Sequence, residues 1–162
     1  MDKIILSLLC LAMIGLELGC RKKEEAKLEL PHERMLSDTI TELEHQYELP
    51  KGVLSAIALV ESGFDETAMR DEESLRRRGW RLRERTAYGL TQVVYGMHRK
   101  TCRLISPAEL LDGHANLRCA ALVLDNCMDR SGRNLTAALS CYNGDRSGRY
   151  ARKVMTELKR FS

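Results

Sequence analysis

Along most of this 162-residue chain, large apolar residues recur at intervals of three and four, the spacing that gathers side chains on one face of an α-helix. Met35, Leu36, Ile40, Leu43 and Tyr47 do so between Pro31 and Leu49, with polar and acidic residues between them. Pro50 breaks that pattern, and Val53, Leu54, Ile57, Ala58, Val60 and Glu61 then fit one amphipathic helix. Pro50 is expected in the first turn of this second helix, where its missing N–H does little harm. Leu54, Ile57 and Ala58 precede Glu61 by seven, four and three positions, so they share its face. One carboxylate therefore ends an apolar stripe just before Gly63 interrupts the helix. Next comes a strongly charged stretch, Glu66 to Arg85, with seven arginines and the only tryptophan, Trp80. It reads either as solvated surface or as a mobile flap whose arginines meet an anionic polymer or membrane while Trp80 packs on a sugar ring or lipid. Small and β-branched residues surround Gly89, which permits a positive φ or a close backbone approach to a ligand. A helix is predicted over Tyr95–Leu104. A short one follows, with Ser106 as N-cap, Pro107 first and Glu109 third, closed by Asp112 and Gly113. Asn116–Met128 is apolar on most sides and reads as the central buried helix. Thr136–Tyr142, a polar loop over Asn143–Gly148, and a last helix over Tyr150–Leu158 complete a mainly α fold with little or no sheet.

Composition narrows this picture. With 44% hydrophobic and 30% charged residues, the chain suits one globular domain long enough to bury a core. Two Phe and one Trp make that core aliphatic. A formal charge of +3 is too mild to point to nucleic acid, and no nucleic-acid partner is expected. Ile4–Leu16 is apolar but, at thirteen residues, too short to span a bilayer comfortably, and it matches the core of an export signal. Leu18-Gly19-Cys20 resembles the site at which bacterial lipoprotein precursors are cleaved before a lipid-bearing cysteine, although Glu17 stands where Leu is usual. Residues 1–20 are thus expected to be an export signal of lipoprotein type. Residues 21–31 would be a charged tether and residues 32–162 the folded domain, held in the periplasm or cell envelope through Cys20. An uncleaved anchor and an ordinary cleaved signal are the alternatives.

Six cysteines fit the same compartment. With Cys10 in the signal and Cys20 lipidated, Cys102, Cys119, Cys127 and Cys141 remain as disulfide candidates. Cys119 and Cys127 in one helix would lie about 12 Å apart, beyond disulfide reach. Two connectivities are left, and 102–119 with 127–141 is favoured because residues flanking a helix–loop–helix turn come close. His98/Cys102 and His114/Cys119 are spaced like metal-ligand pairs, but no CxxC or HExxH accompanies them, and no metal is expected.

Four further segments stand in a familiar order. ITELEHQYELPKGVLSAIALVESGF, AYGLTQV, NLRCAALVL and AALSCYNGDRSGRYARKV together resemble the soluble lytic transglycosylase domain, related to goose-type lysozyme. The resemblance covers roughly residues 32–160. It rests on Glu61-Ser62, Gly89-Leu90-Thr91-Gln92, Asn116-Leu117, Cys141-Tyr142-Asn143 and Tyr150-Ala151. Thr91 replaces the usual Met and Cys141 the usual Ala, Ala151 stands where Val is common, and the interval from Glu61 to Gly89 is longer than usual.

The resemblance implies a compact lysozyme-like helical domain that cleaves the β-1,4 bond between N-acetylmuramic acid and N-acetylglucosamine in peptidoglycan, with no cofactor. Glu61 is the implied catalytic residue, and a carboxyl group half-withdrawn from water suits an acid because it prefers to stay protonated. Gln92, Tyr142 and Asn143 are implied to orient the sugar and Glu61, and Ser62 to bond a ligand or its own helix end. Read as residues alone, these are a turn Gln, a core Tyr and a cap Asn. Asp65 and Glu66, the nearby candidates for a second carboxylate, read as surface. The implied partners are glycan strands, the membrane through an N-terminal lipid or signal anchor, and a secretion machine or phage assembly. The alternatives are a muramidase that hydrolyses the same bond and a non-catalytic wall-binding or assembly protein.

Overall fold

A computed structural model describes residues 31–161. The expected signal over 1–20 with Cys10 and Cys20, and the tether up to residue 30, lie outside the described residues. The helices are α1 Pro31–Gln46, α2 Val53–Ser62, α3 Glu73–Arg76, α4 Leu82–Arg85, α5 Tyr95–His98, α6 Gly113–Arg130, α7 Leu135–Asn143 and α8 Arg149–Leu158, with a 3-10 helix over Pro107–Leu111. Three short strands, β1 Met69–Asp71, β2 Thr86–Tyr88 and β3 Val93–Val94, form one antiparallel sheet in that order. The chain is mainly α, as its periodicity predicts.

The central helix is α6, whose Leu117, Ala120, Ala121 and Leu124 are fully buried. It packs on α1 and α7, while α8 lies across α2 and α7. From α2, Val53, Leu54, Ala56, Ile57 and Ala58 enter the core with no exposed surface. From α8, one face contributes Tyr150, Ala151, Val154 and Leu158, all buried. Burying this aliphatic set is the main favourable contribution to the fold.

Several boundaries differ from the sequence reading. Pro50 is not in the first turn of α2; it opens the turn before it, where its carbonyl accepts the Val53 N–H at 3.1 Å. Gly52, at φ +81°, leads into the helix. The cap comes instead from α1, where buried Glu44 accepts the N–H groups of Gly52 at 2.7 Å and Leu54 at 2.9 Å. The helix expected over Tyr95–Leu104 stops at His98. The chain then turns through Arg103, at φ +56°, after setting Cys102 against α6. Asp112 closes the 3-10 helix as expected, its N–H bonding the Glu109 carbonyl at 3.2 Å, and it also caps α6, which begins at Gly113, its carboxylate accepting the Ala115 N–H at 2.8 Å.

The arginine-rich stretch is ordered into β1, α3 and α4, an excursion between two paired strands and not a bare flap. Its base is closed by Arg85, which donates to Asp71 at 3.0 Å. Leu75 buries itself inward. Trp80 faces α5: a Cβ placed on Gly96 would come within 2.7 Å of its ring. Disulfides join Cys102 to Cys119 and Cys127 to Cys141, at Cα separations of 5.2 and 5.8 Å.

Candidate active site

Glu61 sits in the last turn of α2. That helix ends because Gly63 adopts φ +66°, giving its N–H to Leu59 at 3.1 Å while Phe64 bonds back to Ala58 at 3.4 Å. The Glu61 side chain is only 6% exposed. Asn143, at the end of α7, donates from Nδ2 to its Oε1 at 3.4 Å. The Nη2 of Arg70, on β1, stands 3.6 Å from its Oε2. Burial raises the pKa of Glu61 above the usual carboxylate value, and Tyr150, Arg70 and Asn143 work against that rise. The Tyr150 hydroxyl is buried beside Glu61, close enough to lower that pKa but without a hydrogen bond of good geometry among the described residues. It lies near enough to Glu61 for that carboxylate, after burial, to push the phenol's own pKa up.

Beside the acid runs the turn between β2 and β3. Gly89 adopts φ +71°, and a Cβ there would strike the Leu110 carbonyl and the Asn116 amide. The close approach expected of this glycine is therefore made to the protein itself. Fully buried Asn116 uses every polar valence it has. Its Oδ1 accepts the N–H of Thr91 at 2.9 Å and the Thr91 hydroxyl at 2.6 Å, while its Nδ2 donates to the carbonyls of Tyr88 at 2.8 Å and Leu110 at 2.9 Å. Thr91, where the resemblance would put Met, thus has a specific partner. Gln92, at φ +50°, clamps the same turn by donating from Nε2 to the carbonyls of Gly89 at 2.9 Å and Ala68 at 3.1 Å.

Tyr142 reaches this turn from α7, giving its hydroxyl proton to the Thr91 carbonyl at 3.2 Å and stacking on Tyr150 with ring centroids 6.5 Å apart. The loop that follows is held by Asp145, whose carboxylate accepts from Ser147 and from the N–H of Tyr150 at 2.9 Å. Those bonds hold its pKa down to about 2 and set the start of α8 that carries Tyr150.

A cleft of about 670 Å³ opens over these groups. Glu61, Gln92, Tyr142 and Asn143 all line it, and Ser62 does not. The Ser62 hydroxyl is committed internally, donating to the Leu90 carbonyl at 2.8 Å and accepting the Asp65 N–H at 3.1 Å. Asp65 is exposed and folds onto Thr67, whose hydroxyl and N–H lower its pKa; neither it nor Glu66 lines the cleft. The carboxylate that does is Glu72, which accepts from Arg70 Nε at 2.9 Å. Sequence reasoning missed both Arg70 and Glu72. They stand in a run of charges with no periodicity, and only the pairing of Arg70 with Ala87 across the sheet turns that run toward the cleft. The result is one enclosed carboxyl of raised pKa at the wall of an open groove, an arrangement suited to handing a proton to a bound molecule and taking one back.

The family model described as Transglycosylase SLT domain matches residues 38–159. No curated protein and no solved structure matches the chain.

Proposed function

The chain belongs to the transglycosylase SLT family, and on that footing we propose that it is a peptidoglycan lytic transglycosylase with Glu61 as its single general acid and base. In the proposed reaction Glu61 protonates the glycosidic oxygen as the bond between N-acetylmuramic acid and N-acetylglucosamine breaks. The substrate's own acetamido group stabilises the cationic carbon. The Glu61 carboxylate then takes the proton of the muramoyl 6-hydroxyl, whose oxygen closes a 1,6-anhydro ring. No water is consumed, and the acid is returned to its starting state.

The observation that carries this reading is the enclosure of Glu61 at the cleft wall, 6% exposed and with its pKa raised by burial. In this reading Asn143, which donates to Glu61, and Tyr142, which lines the cleft, orient the acid and the sugar. Gln92 holds the turn beneath them and offers its carbonyl oxygen to substrate. Ser62 acts through the scaffold, tying the end of α2 to Leu90. The proposed setting is the cell envelope, with residues 32–162 as the catalytic domain, residues 1–20 as the export signal and Cys20 as the lipid anchor.

One observation favours a second reading. Glu72 shares the cleft with Glu61, one guanidinium away. Glycosidases with a second carboxylate roughly 6.5–9.5 Å from the acid can use it to activate water, which would make the protein a muramidase. Mass spectrometry of the muropeptides released from purified peptidoglycan decides between them. Anhydro-ended products, released by the protein and not by Glu61→Gln, are expected. Reducing-end products would make it a hydrolase, and glycan binding without release by either protein would make it a wall-binding module.

A further inference from the structure

The proposed chemistry leaves several residues that line the cleft unused, and among them are two arginines. Arg70 is neutralised between Glu61 and Glu72. Arg78, in the turn after α3, and Arg130, the last residue of α6, line the same cleft. Both are exposed, and neither forms an ion pair among the described residues. His98 adds no charge near neutrality, since burial lowers its pKa. Asn126, one turn before Arg130 on α6, lines the cleft as well. The two free guanidinium groups come from different elements. One of these, the excursion between β1 and β2, lies within the interval from Glu61 to Gly89.

Cations gathered in a concave surface focus a positive potential and attract anionic groups, and a guanidinium recognises a carboxylate through two parallel hydrogen bonds. The sugars of peptidoglycan cannot supply that anion, because the N-acetyl groups are neutral and the lactyl carboxyl is amide-bonded to the stem peptide. The free carboxylates of the wall lie on the stem peptides. Resting on the peptidoglycan reading above, we propose that Arg78 and Arg130 form a subsite for stem-peptide carboxylates, so that the protein selects glycan strands whose peptides carry free acids.

The test compares purified peptidoglycan with the same material after its carboxylates have been converted to amides, which changes charge and little else. The protein is expected to release products from the free-acid wall roughly three- to tenfold faster, as partly exposed ion pairs allow. In Arg78→Gln/Arg130→Gln that ratio is expected to fall toward one, with the rate on amidated wall unchanged. The Glu61→Gln protein, which binds without turnover, is expected to co-sediment preferentially with the free-acid wall. This binding arm tests the subsite even if no wall is cleaved, an outcome that would count against the catalytic reading alone. A ratio near one in the unsubstituted protein, or one the double variant leaves in place, would overturn the subsite. Peptide-stripped strands, whose anion is the lactyl carboxylate, supply the remaining arm. The double variant is expected to release products from them as fast as the parent protein; a loss there equal to that on intact wall would mean that the pair reads any carboxylate along the strand and would overturn selection by the stem peptide.

Discussion

Arg70 stands 3.6 Å from Oε2 of Glu61 and donates to Glu72 at 2.9 Å, so one guanidinium is shared by two cleft carboxylates. In its proposed role as general acid Glu61 must be protonated to act, and its protonated fraction falls as pH rises through its pKa. Burial moves that pKa up, and the positive charge of Arg70 moves it back down. Removing Arg70 therefore leaves the burial effect less opposed, and the alkaline limb of kcat/KM for Arg70→Gln is expected at higher pH than in the parent protein. Glu72→Gln has the opposite sign. It leaves Arg70 to Glu61 alone and removes a neighbouring negative charge, so its limb is expected at lower pH. Initial rates of peptidoglycan clearing across pH give both profiles, and two variants shifting in the same direction would show that Arg70 does not set the acid. At this scale the sequence was informative where a residue sat on a periodic element. Glu61 could be placed at the end of an apolar stripe, whereas Glu72 could not be separated from its charged neighbours.

Elements meet around Asn116, whose four hydrogen bonds fasten α6 to β2, to the turn after it and to the 3-10 helix. That turn carries Gln92 and supplies the carbonyl on which Tyr142 rests, so Asn116 supports the cleft without touching it. Asn116→Ala would strand the Thr91 N–H and the carbonyls of Tyr88 and Leu110 in a dry interior. At roughly 1–3 kcal/mol for each unsatisfied group, the expected loss is at least about 3 kcal/mol, read as a fall in the urea midpoint at constant m. A loss below about 1 kcal/mol would mean that water or a small shift satisfies those groups. The sequence placed Asn116 near the start of its helix but could not name its partners, which come from Tyr88, Thr91 and Leu110. The cap of α2 was hidden for the same reason: Glu44 belongs to the preceding helix and reaches α2 only after the two have packed. Periodicity and turn chemistry describe one segment at a time, and these bonds exist only between segments.

At the scale of the molecule, two disulfides among the described residues fix how the segments after the sheet lie on α6. Both suit an oxidising compartment, where a family that acts on the cell wall works. Helix geometry alone removed one of three pairings, and the nearness of residues across a short turn favoured the pairing that the structure forms. Their mechanical roles differ. Cys102–Cys119 holds the turns after α5, whereas Cys127–Cys141 binds α6 to the residue just before Tyr142 and Asn143. Bridges separated by 17 and 14 residues each restrict the unfolded chain to a similar degree. Removing either as a double Cys→Ser variant is expected to cost about 3 kcal/mol, on the order of 10 °C in Tm. Activity should separate the two. Well below both melting transitions, the 127/141 variant is expected to lose kcat because the wall bearing Tyr142 and Asn143 is no longer pinned against Thr91 and Glu61, while the 102/119 variant keeps most of its rate. Calorimetry beside single-temperature clearing rates makes the comparison. Equal losses of rate at equal losses of stability would reduce both bridges to staples. An unequal loss would give the cysteine at position 141, where the family usually has alanine, a part in holding the site.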